Sequence, residues 1–408
     1  MKLDCKICLA LSLLLLGTLL ASCSALTPLP PTATPTMPPT FTPLPPTATF
    51  TPQPTATATP LPSPTATPAY PPAGLGPSGF PAGVNPLTGL EVDDPALLER
   101  RPIIVKVQNL PREGRPQLGV SAADLVYEYY TEFGTTRFAA IYYGRDAEQV
   151  APIRSGRYFD EHLIRMYKAV FVFGSADPRV YQRFAGSEFG SRLVLEGSKS
   201  LQVGAIGRYD PKGKNYLMAN TAKVGEYLRL VQVDNSRQNL DGMYFKLEAP
   251  EGGRAASQLT VRYSIAIYNR WDYDAESGRY LRSVDQQNAT DQASERYAPL
   301  TDAVTGEQLG VENVVVIFVP HQDVVPSAET EMMEMALNGS GDALLLRDGQ
   351  VYSVRWQRNA PDAVLTLVDA SGQLVPFKPG QTWFEVVNTG SAVTNDGAAW
   401  RVNFSTRW

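Results

Sequence analysis

The chain has 408 residues and a formal net charge of −5, and its residue types are unevenly distributed. Of 34 prolines, 19 fall between Ser24 and Ala82 together with 14 threonines, and no Asp, Glu, Lys or Arg occurs between Lys6 and Glu91. A folded domain does not leave so long a run uncharged, so one uniform globule is excluded and the foldable material begins near residue 85. After residue 23 the chain carries 34 Lys and Arg against 40 Asp and Glu, a balance that argues against nucleic acid as a partner.

Residues 1–23 open with a lightly basic segment, Met1 to Lys6, and continue with an apolar run from Ile7 to Leu20. The run is too short for a comfortable membrane span and reads as a signal peptide. It ends in Leu20-Ala21-Ser22-Cys23, which is similar to the lipobox of bacterial lipoproteins. That resemblance implies diacylglycerol on Cys23, with a further acyl chain on the new amino terminus, and such a pair of lipids anchors stably. All three cysteines (Cys5, Cys8, Cys23) lie in the signal or at the lipidation site, so the exported domain has no disulfide and no thiolate chemistry. The alternative is an ordinary signal peptide with a chance cysteine.

Residues 24–84 repeat units such as Pro31-Thr32-Ala33-Thr34-Pro35 and Ser63-Pro64-Thr65-Ala66-Thr67-Pro68. Proline removes backbone donors and fixes φ, so the tract builds no core and reads as a disordered stalk with polyproline II character. At roughly 3.1 Å per residue its reach is about 180 Å.

Beyond Asn85 the composition is ordinary. Ile103 to Val107, Asp124 to Tyr129, Arg137 to Tyr143 and Ala169 to Phe173 are predicted strands, and Arg157 to Tyr167 and Thr221 to Val231 predicted helices. From Leu259 onward short strands are joined by turns; Arg347-Asp348-Gly349-Gln350 predicts a tight hairpin, with Ala370 to Gln373 and Asn395 to Gly397 as further turns and Asn313 to Val319 as a central strand. The predicted architecture is an α/β domain over 85–250 followed by a mainly β domain over 251–408, with the junction in Glu248 to Arg254.

A family resemblance runs through this part. Asn85-Pro86-Leu87-Thr88-Gly89-Leu90, Arg101-Pro102-Ile103-Ile104-Val105, Arg115-Pro116-Gln117, Ser121 to Glu128, Gly134-Thr135-Thr136-Arg137-Phe138 and Pro152-Ile153-Arg154-Ser155-Gly156-Arg157 resemble successive motifs of the YerB-like bacterial lipoproteins. Trp271 to Asp274, Tyr280-Leu281-Arg282, Asn313 to Val316 and Pro379 to Trp383 are similar to that family's second half. The resemblance implies a lipid-anchored extracytoplasmic protein of two domains with no assigned activity. The chain departs from the family pattern at Lys106-Val107-Gln108-Asn109, where members often carry a more neutral strand end with paired asparagines.

The candidate ligand-binding residues are Arg115, Arg137, Arg154 and Arg157. Arg154 and Arg157 bracket Ser155-Gly156 before the predicted helix, whose free N–H groups and positive dipole end would join two guanidiniums in holding a phosphate or carboxylate. The order of Arg115, Asp124, Arg137 and Pro152 to Arg157 is also loosely similar to the LytR-CpsA-Psr phosphotransferases. That likeness implies Arg154, Arg157 and Asp124 as catalytic candidates, with Asp124 near a magnesium ion. The opposing view has Arg154 and Arg157 paired within the fold, with Asp160 and Glu161 one turn away. His162 and His321 are the two histidines, too few for a His-rich metal site, and both read as packed side chains. Asp272 and Asp274 read as turn-forming or solvated rather than as a calcium pair. Tyr127, Tyr129, Tyr130, Tyr142, Tyr143 and Tyr158 offer either a sugar- or protein-binding surface or a tyrosine-lined core.

These observations favour a binding or scaffolding module of the cell envelope over an enzyme, with no cofactor. Its partners are the membrane through the lipid and a cell-wall glycan, an anionic ligand or an envelope protein. The alternative is a phosphotransferase or other enzyme acting on an anionic lipid pyrophosphate or cell-wall substrate, with magnesium.

Overall fold

The computed structural model describes residues 70–210, 216–325, 327 and 329–407. The signal peptide, Cys23 and the Pro/Thr tract as far as residue 69 lie outside the described residues.

Residues 70–84, expected as the end of the stalk, pack instead on the folded body. Leu75 exchanges backbone hydrogen bonds of 2.9 and 2.8 Å with Phe245, the Phe80 ring lies 6.3 Å from that of Phe245, and Val84 is buried. The correction has a plain cause: the Pro/Thr period ends at Pro68, and Leu75, Phe80 and Val84 bring back apolar area that gains by leaving water.

The first half contributes five strands to the larger sheet: β1 (Ile103–Gln108), β2 (Leu125–Tyr130), β3 (Thr136–Tyr142), β4 (Val170–Val172) and β5 (Leu193–Val194). Every residue of β1 and β2 is buried, as their continuous rather than alternating apolar runs require for strands covered on both faces. Among them lie helices α1 (Asp160–Met166), α2 (Pro178–Ala185), α3 (Ser198–Gln202) and α4 (Thr221–Leu230). The second half supplies β6 (Gln258–Arg262), β7 (Tyr268–Asp274), β8 (Arg279–Asp285), β9 (Tyr297–Pro299), β10 (Asn313–Val319), β11 (Gly339–Arg347), β12 (Gln350–Arg358), β13 (Thr366–Val368), β14 (Thr382–Asn388), β15 (Ala392–Asp396) and β16 (Ala399–Asn403). All four α-helices precede residue 250, so an α/β region is followed by a mainly β one, as the patterning predicts.

The strands form two large sheets. The first has the order β13-β12-β11-β10-β14-β2-β3-β1-β4-β5, and the second β9-β8-β7-β6-β16-β15. Strand β14, from the second half of the chain, lies between β10 and β2 and runs parallel to both, with Leu125 opposite Thr382 and Asn313 opposite that same Thr382. The boundary in the chain is therefore not a boundary in the sheet.

One face of the first sheet carries Lys106, Tyr127, Tyr129 and Arg137, and α1 covers part of it: the Tyr127 and Tyr167 hydroxyls meet at 2.7 Å just past the helix end. The other face packs on the second sheet around a buried ion triad. Glu128 of β2 and Glu385 of β14 stand side by side in register, and Arg282 of β8 reaches both, with 2.9 Å to Glu385. All three side chains are fully buried. Donors complete the network: Thr136 and Asn109 bond Glu128 at 2.6 and 3.0 Å, while Trp271 Nε1 and the Tyr263 hydroxyl bond Glu385 at 2.9 and 3.0 Å. The Arg282 guanidinium also lies 4.3 Å from the Trp383 ring and 4.8 Å from that of Trp271, so its flat faces are covered by aromatics.

Candidate functional site

The segment after Ala151 runs as an extra extended stretch between the ends of β1 and β4. Arg154 N–H donates to the Lys106 carbonyl at 2.8 Å, and Gly174 N–H donates to the Arg154 carbonyl at 2.9 Å. Gly156 N–H donates to the Ser175 carbonyl at 2.8 Å. Space at Gly156 is tight, because a Cβ there would stand 3.1 to 3.3 Å from the rings of Phe184, Phe171 and Phe173 and those rings would have to give by a few tenths of an ångström. These bonds hold Arg154, Ser155 and Arg157 at the carboxyl end of the parallel pair β1 and β4, the side of an α/β sheet where ligands are usually received.

Three of the four sequence-predicted arginines meet here. Arg137 and Arg157 both pair with Glu132, from the turn between β2 and β3, at 2.8 Å for Arg137 Nη2 and 2.6 Å for Arg157 Nε. Arg154 makes no side-chain hydrogen bond or ion pair among the described residues. It lines a cavity of about 150 Å³ with Ser155, Ser175 and Tyr216, and the two serine hydroxyls lie 2.8 Å apart. A second cavity of about 370 Å³ adjoins it through the same serines and is lined by Arg157, Tyr158, Met332 and Met333 together with the acidic residues Glu132, Asp177, Glu329 and Glu331. Two of these carboxylates have partners outside the arginine set: Asp177 pairs with Arg179, and Glu331 accepts from the Tyr130 hydroxyl and the Phe133 N–H.

The electrostatics follow from two guanidiniums that share the Glu132 carboxylate, with Arg154 as a third cation beside them. Burial pushes the Arg137 guanidinium down to about 10, and its neighbour Arg157 adds to the effect. Burial, and again the Arg157 charge, lowers Arg154 as well. Burial works to raise Glu132, yet the Arg157 hydrogen bond and the Arg157 and Arg137 charges prevail and hold it below its ordinary value. An anion entering beside Arg154 would offset the repulsion among the cations.

The helix contribution expected from sequence is absent. Helix α1 begins at Asp160 rather than Arg157 and has only seven residues, and the Asp160 carboxylate itself takes the Arg157 N–H at 2.7 Å. The expected internal partners also change: Asp160 pairs with Lys106 at 3.1 Å, and Glu161 with Arg165 and Arg183. Glu132 and Lys106 were missed. The signal for Glu132 was its place in a short hairpin turn five residues before Arg137, whereas nothing local ties Lys106 to Asp160.

Arg115 does not belong to the site. Its guanidinium is spent on Asp285 at 3.0 and 3.1 Å and on the side chain and carbonyl of Asn109 at 2.7 and 2.9 Å, joining the loop after β1 to the end of β8. Asp124 is also remote. It precedes β2 while Arg137 pairs with Tyr129 near the other end, a separation of about 17 Å along the strand. The Asp124 carboxylate accepts from Asn85 at 3.0 Å, Tyr143 N–H at 2.6 Å and Gly144 N–H at 2.9 Å; burial pushes it up to about 6 against those donors. The phosphotransferase alternative needs Asp124 and the arginines in one cavity, and they are not.

Of the six tyrosines, Tyr127, Tyr129, Tyr130, Tyr142 and Tyr143 are buried, which decides for the tyrosine-lined core and leaves Tyr158 at the groove. Both histidines are packed. His162 Nδ1 lies 3.0 Å from Arg358, His321 Nδ1 bonds the Val319 carbonyl at 2.7 Å, and burial lowers each to about 4. Asp274 accepts from Ser277 N–H at 3.0 Å within its turn, and Asp272 pairs with Arg270.

Comparison with known proteins gives a consistent assignment. A protein of unknown function (DUF3048) N-terminal domain matches residues 87–226, and the corresponding C-terminal domain matches residues 259–384. The putative lipoprotein YerB of Bacillus subtilis (strain 168) is 25% identical over 307 residues, covering 74% of this chain and 85% of that protein. The crystal structure of the YerB protein from Bacillus subtilis shares the fold at a TM-score of 0.59 with 24% identity, over 74% of this chain and 96% of that one. With both halves matched in order and the fold shared, the chain belongs to the YerB-like family that pairs the N- and C-terminal DUF3048 domains.

Proposed function

We propose that this protein is a lipid-anchored extracytoplasmic binding module, held on a Pro/Thr stalk, which takes an anionic ligand beside Arg154. The anchor is supported by the Leu20-Ala21-Ser22-Cys23 motif and by the lipoprotein name of the Bacillus subtilis relative. Among the described residues no helix is long and apolar enough to cross a membrane. The observation that carries the binding reading is Arg154: a guanidinium without a side-chain partner among the described residues, in a cavity with two serine hydroxyls, beside two arginines that share one carboxylate.

Two measurements test this reading. Radiolabelled palmitate should mark the wild-type chain in cells and not a Cys23→Ser variant; equal labelling overturns the anchor. For the site, undecaprenyl pyrophosphate and peptidoglycan fragments are titrated calorimetrically against the full chain in detergent. Loss of a charge-assisted contact worth about 1.5–3 kcal/mol predicts binding weakened about 10- to 100-fold in Arg154→Ala. Equal binding by wild type and an Arg154→Ala, Arg157→Ala double variant removes the anion site.

A further inference from the structure

Beneath the arginine loop lies a buried charge that the anion site does not by itself require. Lys106, the fourth residue of β1, has a fully buried side chain on the face that α1 covers. Its ammonium pairs with Asp160 Oδ1 at 3.1 Å and meets the Tyr129 hydroxyl, which in turn donates to Asp160. The Arg137 and Arg157 charges also act on it, from β3 and from the loop.

The same lysine fixes both ends of the loop. Its carbonyl accepts the Arg154 N–H at 2.8 Å, and its ion-pair partner Asp160 turns Oδ2 to the Arg157 N–H at 2.7 Å. The Lys106 carbonyl and its ion-pair partner thus hold the main chain at Arg154 and at Arg157.

We propose that Lys106 is the positioning residue and charge regulator of the anion site, so that anion affinity falls when Lys106 loses its proton and a bound anion draws that proton back. This deepens the anion-binding reading above and rests on it. Loss of the Lys106 proton takes one positive charge from a cluster that holds Arg137, Arg154 and Arg157 with Glu132 and Asp160, while Asp177, Glu329 and Glu331 line the adjoining cavity. Burial lowers the Lys106 ammonium to about 7, with Asp160 opposing and Arg137 adding to the fall, so the change lies in the neutral range. Arg137, lowered to about 10, keeps its proton there.

The test uses sulfate, whose charge does not change between pH 6 and 8.5, titrated calorimetrically against the full chain in detergent. The wild type should bind sulfate about fivefold more weakly at pH 8.5 than at pH 6, the effect of one charge acting through a medium of intermediate dielectric. Lys106→Met should lack the difference. Because that variant can fail to fold, a second readout follows the Lys106 side chain by nuclear magnetic resonance in the wild type. Its titration midpoint should rise on adding sulfate, and should lie near 7 yet ignore sulfate in Arg154→Ala. Equal sulfate affinity at both pH values, or a Lys106 midpoint that sulfate does not move, overturns the regulation while leaving the site. Absence of sulfate binding at every pH overturns the site and this inference with it.

Discussion

Glu128, Glu385 and Arg282 place two carboxylates and one cation where no water reaches them. Burial pushes Glu128 up to about 7, with Arg282 lowering it and Glu385 raising it. The folded value lies above the ordinary 4.5, so the folded state holds the proton more tightly than the unfolded one. The stability contributed is full below about 4.5 and is lost as the pH rises to about 7. Asp124, raised from 3.8 to about 6, acts in the same direction. A Glu128→Gln variant should be less stable than wild type at pH 5, because its amide must turn an N–H toward one of the donors that now bond Glu128. Its stability should also change less between pH 5 and 7.5. Urea midpoints at the two pH values decide it, and an unchanged slope would show that another group titrates. Removing Arg282 instead would leave two facing carboxylates without a cation, a change that in buried pairs costs about 3–5 kcal/mol.

At the scale of elements, turn chemistry was the most legible feature. Asp348 and Gly349 have φ of 53° and 71°, the two left-handed residues that a type I′ turn requires, and they join β11 to β12 where the sequence predicts a hairpin. Gly349→Ala forces a Cβ into that conformation and to within 2.9 Å of the Tyr273 ring, and should destabilise by about 1–2 kcal/mol in chemical denaturation. Gly197→Ala, at an extended residue with open space around it, should be near neutral. Asn313–Val319 and the start of α4 at Thr221 fall where periodicity places them. The helix after the arginines was legible only as an element. Its start moved three residues beyond the predicted Arg157, and in a short helix that shift decides which N–H groups remain free.

At the scale of the whole molecule, the parallel pairings of β14 with β2 and β10 tie the two halves together. Residues 85–250 expressed alone would leave β2 as an exposed apolar edge and Glu128 without Arg282. That fragment should lack a cooperative thermal transition by circular dichroism, and co-expression with residues 251–408 should restore one. A fragment that melts cooperatively by itself would show that the first half folds without its neighbour strand.

The sequence by itself determined the signal peptide, the lipidation motif and the Pro/Thr tract as expectations, and it determined the order of helices and strands and the hairpin turn. Each is written in composition or in residues a few positions apart. Only the tertiary structure decided which side chains meet. Arg115 finds Asp285 and Arg282 finds Glu128 across 170 and 154 residues, and β14 enters the middle of a sheet begun by the first half. Of the arginines that the sequence grouped, Arg115 was separated from the other three for the same reason. A guanidinium takes the nearest buried carboxylate that the strand register supplies, and that register is fixed by packing over the whole fold rather than by the residues beside it in the chain.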